Sequence, residues 1–457
     1  MLAVLPNGID AVQETCRESI TTTVYNDLFV PALQGSGGPE RMSPVQTAPQ
    51  CRACDAPLKH TFVDLGTAPL CQRHVTPARF SHAESIYPQH VYVCTSCFLV
   101  QLPQYVAREE IFDSEYAYFS SYSDSMLRHA EDYVTMMIPR FGLGATSSVV
   151  EIASNDGYLL QYFKQRGVPC FGVEPTANTA AAAIAKDIPT VVQFFGVETA
   201  KDLRAERGTA NVILGNNVLA HVPDINDLVG GMKILLADRG VITMEFPVLS
   251  KMIENNYFDT IYHEHFSYLS FTTVRGVFAR HGITLFDVED IGTHGGSIRI
   301  YGRHASDGTK PETDNVRRVL EREKAFGHFD LAYYDRFSER VKESKRKILA
   351  FLIEAKRAGK SIVAYGAPGK GNTLLNYCGI RTDFIDYTVD RSPHKQGNFL
   401  PGSRIPILAP SEIEKTRPDY LFILVWNLKD EVMKQMAHIR DWGGRFVVPL
   451  PDVQVLD

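Results

Sequence analysis

Between Ser148 and Gly157 the chain reads SVVEIASNDG. SVVEIA is a short apolar run of the length and β-branched content of a buried strand. SNDG supplies a turn, and YLLQYFKQRG carries a helical period. The same alternation continues downstream. CFGVEP reads as a strand and TANTAAAAIAKD as a helix. VVQFF is the next strand, with a helix through KDLRAERG, and ANVILGNN is another strand. DLVGGMKILLADRG reads as a helix and VITMEFP as a strand, and ITLFDVEDI and GSIRIYGR close the segment as two more strands. Alternation of this kind predicts an α/β fold: a mostly parallel sheet with helices on both faces. Such sheets bind ligands at the carboxyl ends of their strands near the topological switch point, so the turn at 153–157 is the first place to expect one.

A chain of 457 residues exceeds what one core usually serves, so two or three domains are expected. Hydrophobic residues at 44% and charged residues at 22% are ordinary for a soluble globular protein. Against 47 Lys and Arg stand 53 Asp and Glu, a formal charge of −6, which argues against nucleic acid as a partner. No apolar run has the length of a membrane span, and the first residues, MLAVLPNGIDAVQETC, lack the basic and apolar regions of a secretory signal. The expected location is cytoplasmic, with no membrane partner.

Four of the eight cysteines form two CxxC pairs, Cys51 with Cys54 and Cys94 with Cys97. Each pair can sit on a tight turn with both sulfurs facing one point, and two such turns complete a tetrahedral S₄ site. Zn²⁺ is the expected occupant, with a structural role because protein fills all four positions. The alternative is a set of reduced, buried cysteines.

Residues 1–48, with QGSGGPERMSPVQTAPQ, read as a flexible extension. Residues 49–110 form the cysteine module and 111–305 the strand–helix unit. Residues 306–457 begin with a charged helical connector at about 313–358. A second α/β unit then follows, through SIVAYGAPGKGNTLLNYCGI, FIDYTVD, DYLFILVW and RFVVPL.

The turn EIASNDG holds a single glycine, so the GxGxxG of a dinucleotide site is not met. Glu174 ends the second strand, where an acidic residue can accept from a ribose diol or can simply be an exposed carboxylate. YGAPGKGNT, Tyr365 to Thr373, opens a helix after a strand, so its N–H groups and Lys370 can cradle a diphosphate. It is not a Walker A loop. YHEHFSYLS, Tyr262 to Ser270, concentrates two histidines, a glutamate and two tyrosines. Its HEH lacks the HExxH spacing of a helical zinc site, and only His294 offers itself as a third metal ligand. On its own, His263 reads as solvent-facing.

EIASNDG, FGVEP and NNVLAHVPD in that order resemble the class I S-adenosylmethionine-dependent methyltransferases. The CxxC pairs, DLGTAPL (Asp64–Leu70), YHEHFSY, THGGS (Thr293–Ser297) and YGAPGKGNT narrow the resemblance. It becomes one to the three-domain, zinc-binding C-methyltransferases that act on nucleotide-linked 4-keto-deoxysugars. The resemblance runs from about Cys51 to the C-terminus. Two positions depart from it: Ala153 stands where the family usually has glycine, and Gly369 where it usually has alanine.

The resemblance implies a class I methyltransferase Rossmann-like sheet, a small N-terminal zinc module and a C-terminal Rossmann-like domain. It implies S-adenosylmethionine held by Glu151, Ala153, Asn155 and Gly157 at the methionine end. Glu174 would take the ribose, Phe194 the adenine, and Asn216 lies in the same site. It also implies a catalytic group of Tyr262, Glu264, His265, His221 and Tyr118. Carbon methylation needs a base to remove a proton beside a ketone, and donors for the enolate oxygen. His265 is the expected base, because an imidazole suits proton transfer near neutral pH. His221 is the expected donor, and Glu264 would orient the imidazole unless a strand pointed the two apart. His294, Gly295, Lys370, Asn372, Asp390 and Lys395 are the residues expected to hold the nucleotide sugar.

Overall fold

The computed structural model describes residues 49–114, 116 and 118–457. The extension expected at 1–48 lies outside the described residues. Three sheets organise the rest.

The central sheet has seven strands, in the order Ile283–Ile291, Ser297–His304, Leu236–Pro247, Ala210–Asn216, Val149–Ile152, Cys170–Val173, Thr190–Val191. From 236–247 across to 190–191 every pairing is parallel, and 297–304 runs antiparallel to both its neighbours. Strand 149–152 is buried at all four positions and lies between 170–173 and 210–216. The chain leaves it toward one side and later crosses to the other, so the switch point falls at the turn that follows it.

Some elements are shorter than their sequences predict. The strand expected over VVQFF is only Thr190–Val191, after which Phe194 and Phe195 leave the sheet for a cavity wall. The helix expected over DLVGGMKILLADRG ends at Leu235, where the long strand Leu236–Pro247 begins.

The cysteine module carries an antiparallel sheet of His60–Ala68, Tyr87–Val93 and Val100–Gln101. Its fourth strand, Ser267–Tyr268, is donated by the segment just after YHEHF. The third sheet runs Ile407–Leu408, Thr388–Val389, Ile362–Tyr365, Tyr420–Ile423, Arg445–Val448, Gln454–Leu456, and only its last pairing is antiparallel.

The expected connector is two helices, Asp314–Phe326 and Leu331–Arg357. Gly327 at φ +88° caps the first in the left-handed region that favours glycine. The second is more than a solvated rod. Tyr334, Phe337, Val341, Ile348, Leu352 and Ala355 recur at helical spacing and are buried. Phe337 stacks on Phe62 of the cysteine module at 4.6 Å between ring centroids. That module therefore shares one core with the C-terminal unit. Among the described residues no helix is long and apolar enough to cross a membrane.

Candidate active site

The YHEH segment is a tight turn and not a strand. The His265 N–H donates to the Tyr262 carbonyl at 2.8 Å, closing it. All three bodies hold it in place. The Ile261 carbonyl accepts from Gln89 Nε2 (3.1 Å) and from Thr373 Oγ1 (2.8 Å). The Phe266 N–H donates to the Ala220 carbonyl and its own carbonyl accepts from the Leu102 N–H.

A turn sends successive side chains in different directions. His265 and Tyr262 face a cavity of about 740 Å³, with ring centroids 3.9 Å apart. His221, which follows the 210–216 strand, meets His265 edge to face at 4.6 Å. Nδ1 of His265 lies 2.7 Å from the Thr260 carbonyl, which can only accept, so Nδ1 is the donor in that bond. Burial pushes His221 down to about 4, which keeps its ring neutral near neutral pH.

His263, expected toward solvent, is buried instead. Its Nε2 lies 3.1 Å from the Pro88 carbonyl and its ring packs on Tyr87. It does not line the cavity, so HEH presents no pair of imidazoles to a metal. Glu264 does not orient His265; the Thr260 carbonyl does that. The Glu264 carboxylate turns toward Tyr116, whose Oη donates at 3.1 Å, and toward Cys71, whose Sγ donates at 3.3 Å. Burial raises Glu264 to about 7 in spite of those two donors. Tyr118 lines the same cavity, but its backbone carbonyl is what holds the loop, accepting from Asn155 Nδ2 at 3.0 Å.

The carboxyl ends of the central strands form another wall. Glu174 is 4% exposed; its Oε2 accepts from the Asn155 N–H and its Oε1 from the Thr176 N–H, both at 2.8 Å. Burial raises it, against the pull of those bonds. Ala153, Asn155 and Gly157 all take left-handed backbone, at φ +53°, +50° and +74°. Ala153, Asn155, Glu174, Phe194 and Asn216 line the cavity, whereas Glu151 and Gly157 lie behind them. One Glu151 oxygen is buried without a partner, and burial raises that carboxyl well above its ordinary range.

The C-terminal unit closes the cavity. Lys370 bonds Asn427 Oδ1 at 3.1 Å and lies 4.6 Å over the Trp426 ring. Lys395 donates to the Ala367 carbonyl at 2.9 Å, and the Ala367 N–H donates to Asp390 at 2.8 Å. All three line the cavity. Asn372 does not. It is 2% exposed and its Nδ2 donates to the Cys71 carbonyl at 2.6 Å, fastening the loop after DLGTAPL to the C-terminal unit. Gly295 packs under Trp426 and Tyr257 behind the wall, and the side chain of His294 lies outside what is described.

At the far end of the cysteine module, the sulfurs of Cys51, Cys54, Cys94 and Cys97 all lie within 4.8 Å of one another. Cys51 and Cys97 are 3.5 Å apart, and Cys54 and Cys94 3.6 Å. A tetrahedron with Zn–S of about 2.3 Å has edges of about 3.8 Å. Both turns use the same geometry, with Asp55 and Phe98 each at φ +60° after the knuckle.

Sequence comparison agrees with this architecture. Residues 51–112 match the family described as "Putative zinc binding domain", 126–288 a methyltransferase domain, and 292–451 a C-methyltransferase C-terminal domain. The C-methyltransferase NovU of Streptomyces niveus is 33% identical over 415 residues, spanning 90% of this chain and 98% of that protein. The chain belongs to the S-adenosylmethionine-dependent C-methyltransferase family.

Among solved structures, PH0226 of Pyrococcus horikoshii matches with 15% identity and a TM-score of 0.34, over 41% of this chain and 95% of that one. The magnesium protoporphyrin IX methyltransferase of Synechocystis, solved with bound S-adenosylmethionine, matches at 13% and 0.30, over 38% and 78%.

The residues of this C-methyltransferase fit both groups the family carries. Glu174, buried at the end of its strand and lining the cavity, suits the ribose hydroxyls of that cofactor, and the sulfur separations suit zinc. Three residues of the cavity region carry no sequence signal. Tyr116 meets Glu264 across 148 positions, Cys71 across 193, and Thr260 acts through its backbone carbonyl. Tyr116 was one tyrosine of two in EYAYFSS, and only the fold distinguishes them.

Proposed function

We propose that this C-methyltransferase adds a methyl group to the carbon next to the ketone of a nucleotide-linked 4-keto-deoxysugar, at C3. The observation that carries the reading is the His221–His265 pair, 4.6 Å between ring centroids, on a cavity whose other wall holds Glu174 and Asn155.

In this reading Nε2 of His265 removes the α-proton, because Nδ1 is committed to Thr260. His221, neutral through burial, donates its N–H to the enolate oxygen as charge develops there. Tyr262 lies against the base and positions the sugar with Tyr118. Glu264 with Tyr116 forms a second proton-holding pair at the cavity edge. Bound S-adenosylmethionine supplies the electrophilic methyl that the enolate carbon attacks. Glu174 accepts from the ribose hydroxyls, Phe194 faces the adenine, and Glu151, Ala153, Asn155, Gly157 and Asn216 shape the methionine end. Lys370 takes the diphosphate, with Asp390 and Lys395 holding the loop that presents it. The bodies 49–110, 111–305 and 306–457 thus act as zinc module, cofactor domain and substrate domain.

The test is mass spectrometry of nucleotide 4-keto-6-deoxysugars incubated with methyl-deuterated cofactor. One labelled methyl that survives ketone reduction and mild base supports the reading. His265→Asn should lower turnover by about 10²- to 10⁴-fold and leave cofactor binding intact. Transfer to no sugar, by a protein that binds cofactor, would overturn the substrate assignment. Near-normal transfer by His265→Asn would overturn the base.

A further inference from the structure

His129 sits on the helix Asp124–Phe141, away from every motif the sequence singles out. Its Nε2 lies 2.7 Å from Glu245 Oε2. Glu245 is 1% exposed, and Arg299 holds its other oxygen at 2.6 Å. Arg299 in turn reaches Glu289 at 3.2 Å. The imidazole is therefore clamped at one nitrogen by a buried ion pair, while 18% of its side chain remains accessible and lines the cavity. Glu245 is the register partner of Asn216 on the neighbouring strand, which places His129 at the end of the cavity near the 153–157 turn.

That end is rich in acid. Glu151, Asp156, Glu174 and Glu245 are all buried there, and Arg299 is already paired with Glu245 and Glu289. Other cationic residues of the wall are committed elsewhere. Arg108 lies 4.3 Å over the Phe194 ring, Lys251 pairs with Glu254 at 2.8 Å, and Lys370 and Lys395 belong to the C-terminal unit.

We propose that His129 receives the α-carboxylate of the cofactor's methionine portion. This rests on the cofactor orientation in which Glu174 takes the ribose. With Nε2 turned to Glu245, Nδ1 is the ring atom that meets the cofactor carboxylate, and the ring bridges the two. Glu245 and Arg299 are the supports that fix its orientation.

The test is calorimetric titration with S-adenosylhomocysteine and with its decarboxylated analogue, S-adenosyl-3-thiopropylamine, which differ only in the carboxylate. The wild-type protein should prefer the carboxylated ligand by about ten- to hundredfold. His129→Gln should abolish that preference and hold the amine analogue within about twofold of wild type. His129→Lys should retain part of the preference. Glu174→Gln should weaken both ligands together, which checks the orientation separately. A wild-type protein indifferent to the carboxylate would overturn the proposal. So would His129 variants that weaken both ligands equally while melting like wild type, since that is the mark of a structural role.

Discussion

Cys71 Sγ occupies the space that a side chain at Gly369 would need: a Cβ placed on Gly369 would lie 2.9 Å from that sulfur. Gly369 is the first residue of the helix Gly369–Cys378, and Cys71 belongs to the loop that crosses from the cysteine module. The thiol uses its position to donate to Glu264. An alanine at 369 would therefore force the Cys71 sulfur to shift. Gly369→Ala should cost about 1–3 kcal/mol through overpacking, and Cys71→Ala in the same chain should recover part of it. Thermal melts and kcat/KM for the two single variants and the double variant measure the coupling. Strict additivity would mean that the two sites do not share this space.

Glu264 offers a pH signature. Its pKa rises from 4.5 to about 7 in the folded protein, with burial the first cause. Between those values the native state holds more of this proton than the unfolded chain. Stability from this group is thus fully present below about 4.5 and is lost as pH climbs through 7. The loss amounts to about 3 kcal/mol at most. Glu264→Gln should melt with a shallower fall between pH 5 and pH 8 than the wild type, by differential scanning calorimetry. Parallel slopes would place the carboxylate in water.

Metal removal should be felt at the active site as well as in the cysteine module. Cys51, Cys94 and Leu99 pack in one core with Leu269, Phe271 and Val274, which directly follow the YHEH turn. The strand 267–268 is also part of that module's sheet. Elemental analysis should return one zinc per chain, and Cys54→Ser should lose it. Turnover should fall together with the melting temperature under chelation. Full activity in a zinc-free preparation would contradict this coupling.

Ala153 takes left-handed backbone at φ +53°, a conformation that costs an alanine about 1–2 kcal/mol relative to glycine. Ala153→Gly should stabilise the protein by about 1 kcal/mol, less the extra entropy of the unfolded glycine chain. Urea unfolding reads this directly. A weaker affinity for cofactor in the same variant would show that the methyl group also fills the methionine end of the cavity.

Much of this protein is legible from local pattern. Strand 149–152 and its turn announce themselves through an apolar run and a change to helical period, because both depend on neighbouring residues. The two CxxC pairs read as a metal site for the same reason, each turn bringing its own sulfurs together. The connector helix shows where local reading stops. Its charge suggests solvent, yet one face carries Tyr334, Phe337, Val341 and Ile348 into a core shared with Phe62, 275 residues before Phe337.

The YHEH turn divides the two kinds of information most sharply. Sequence by itself determined that an imidazole, a carboxylate and phenols are concentrated there, and that a three-layered α/β sheet with an open ligand edge precedes it. Only the tertiary structure decided their directions. It buried His263 against Pro88, turned Glu264 to Tyr116 and Cys71, and set His265 between Thr260, His221 and Tyr262. The physical reason is that a turn's side-chain directions depend on what pins its backbone. Here those anchors are Gln89, Leu102, Ala220 and Thr373, which come from three distant parts of the chain.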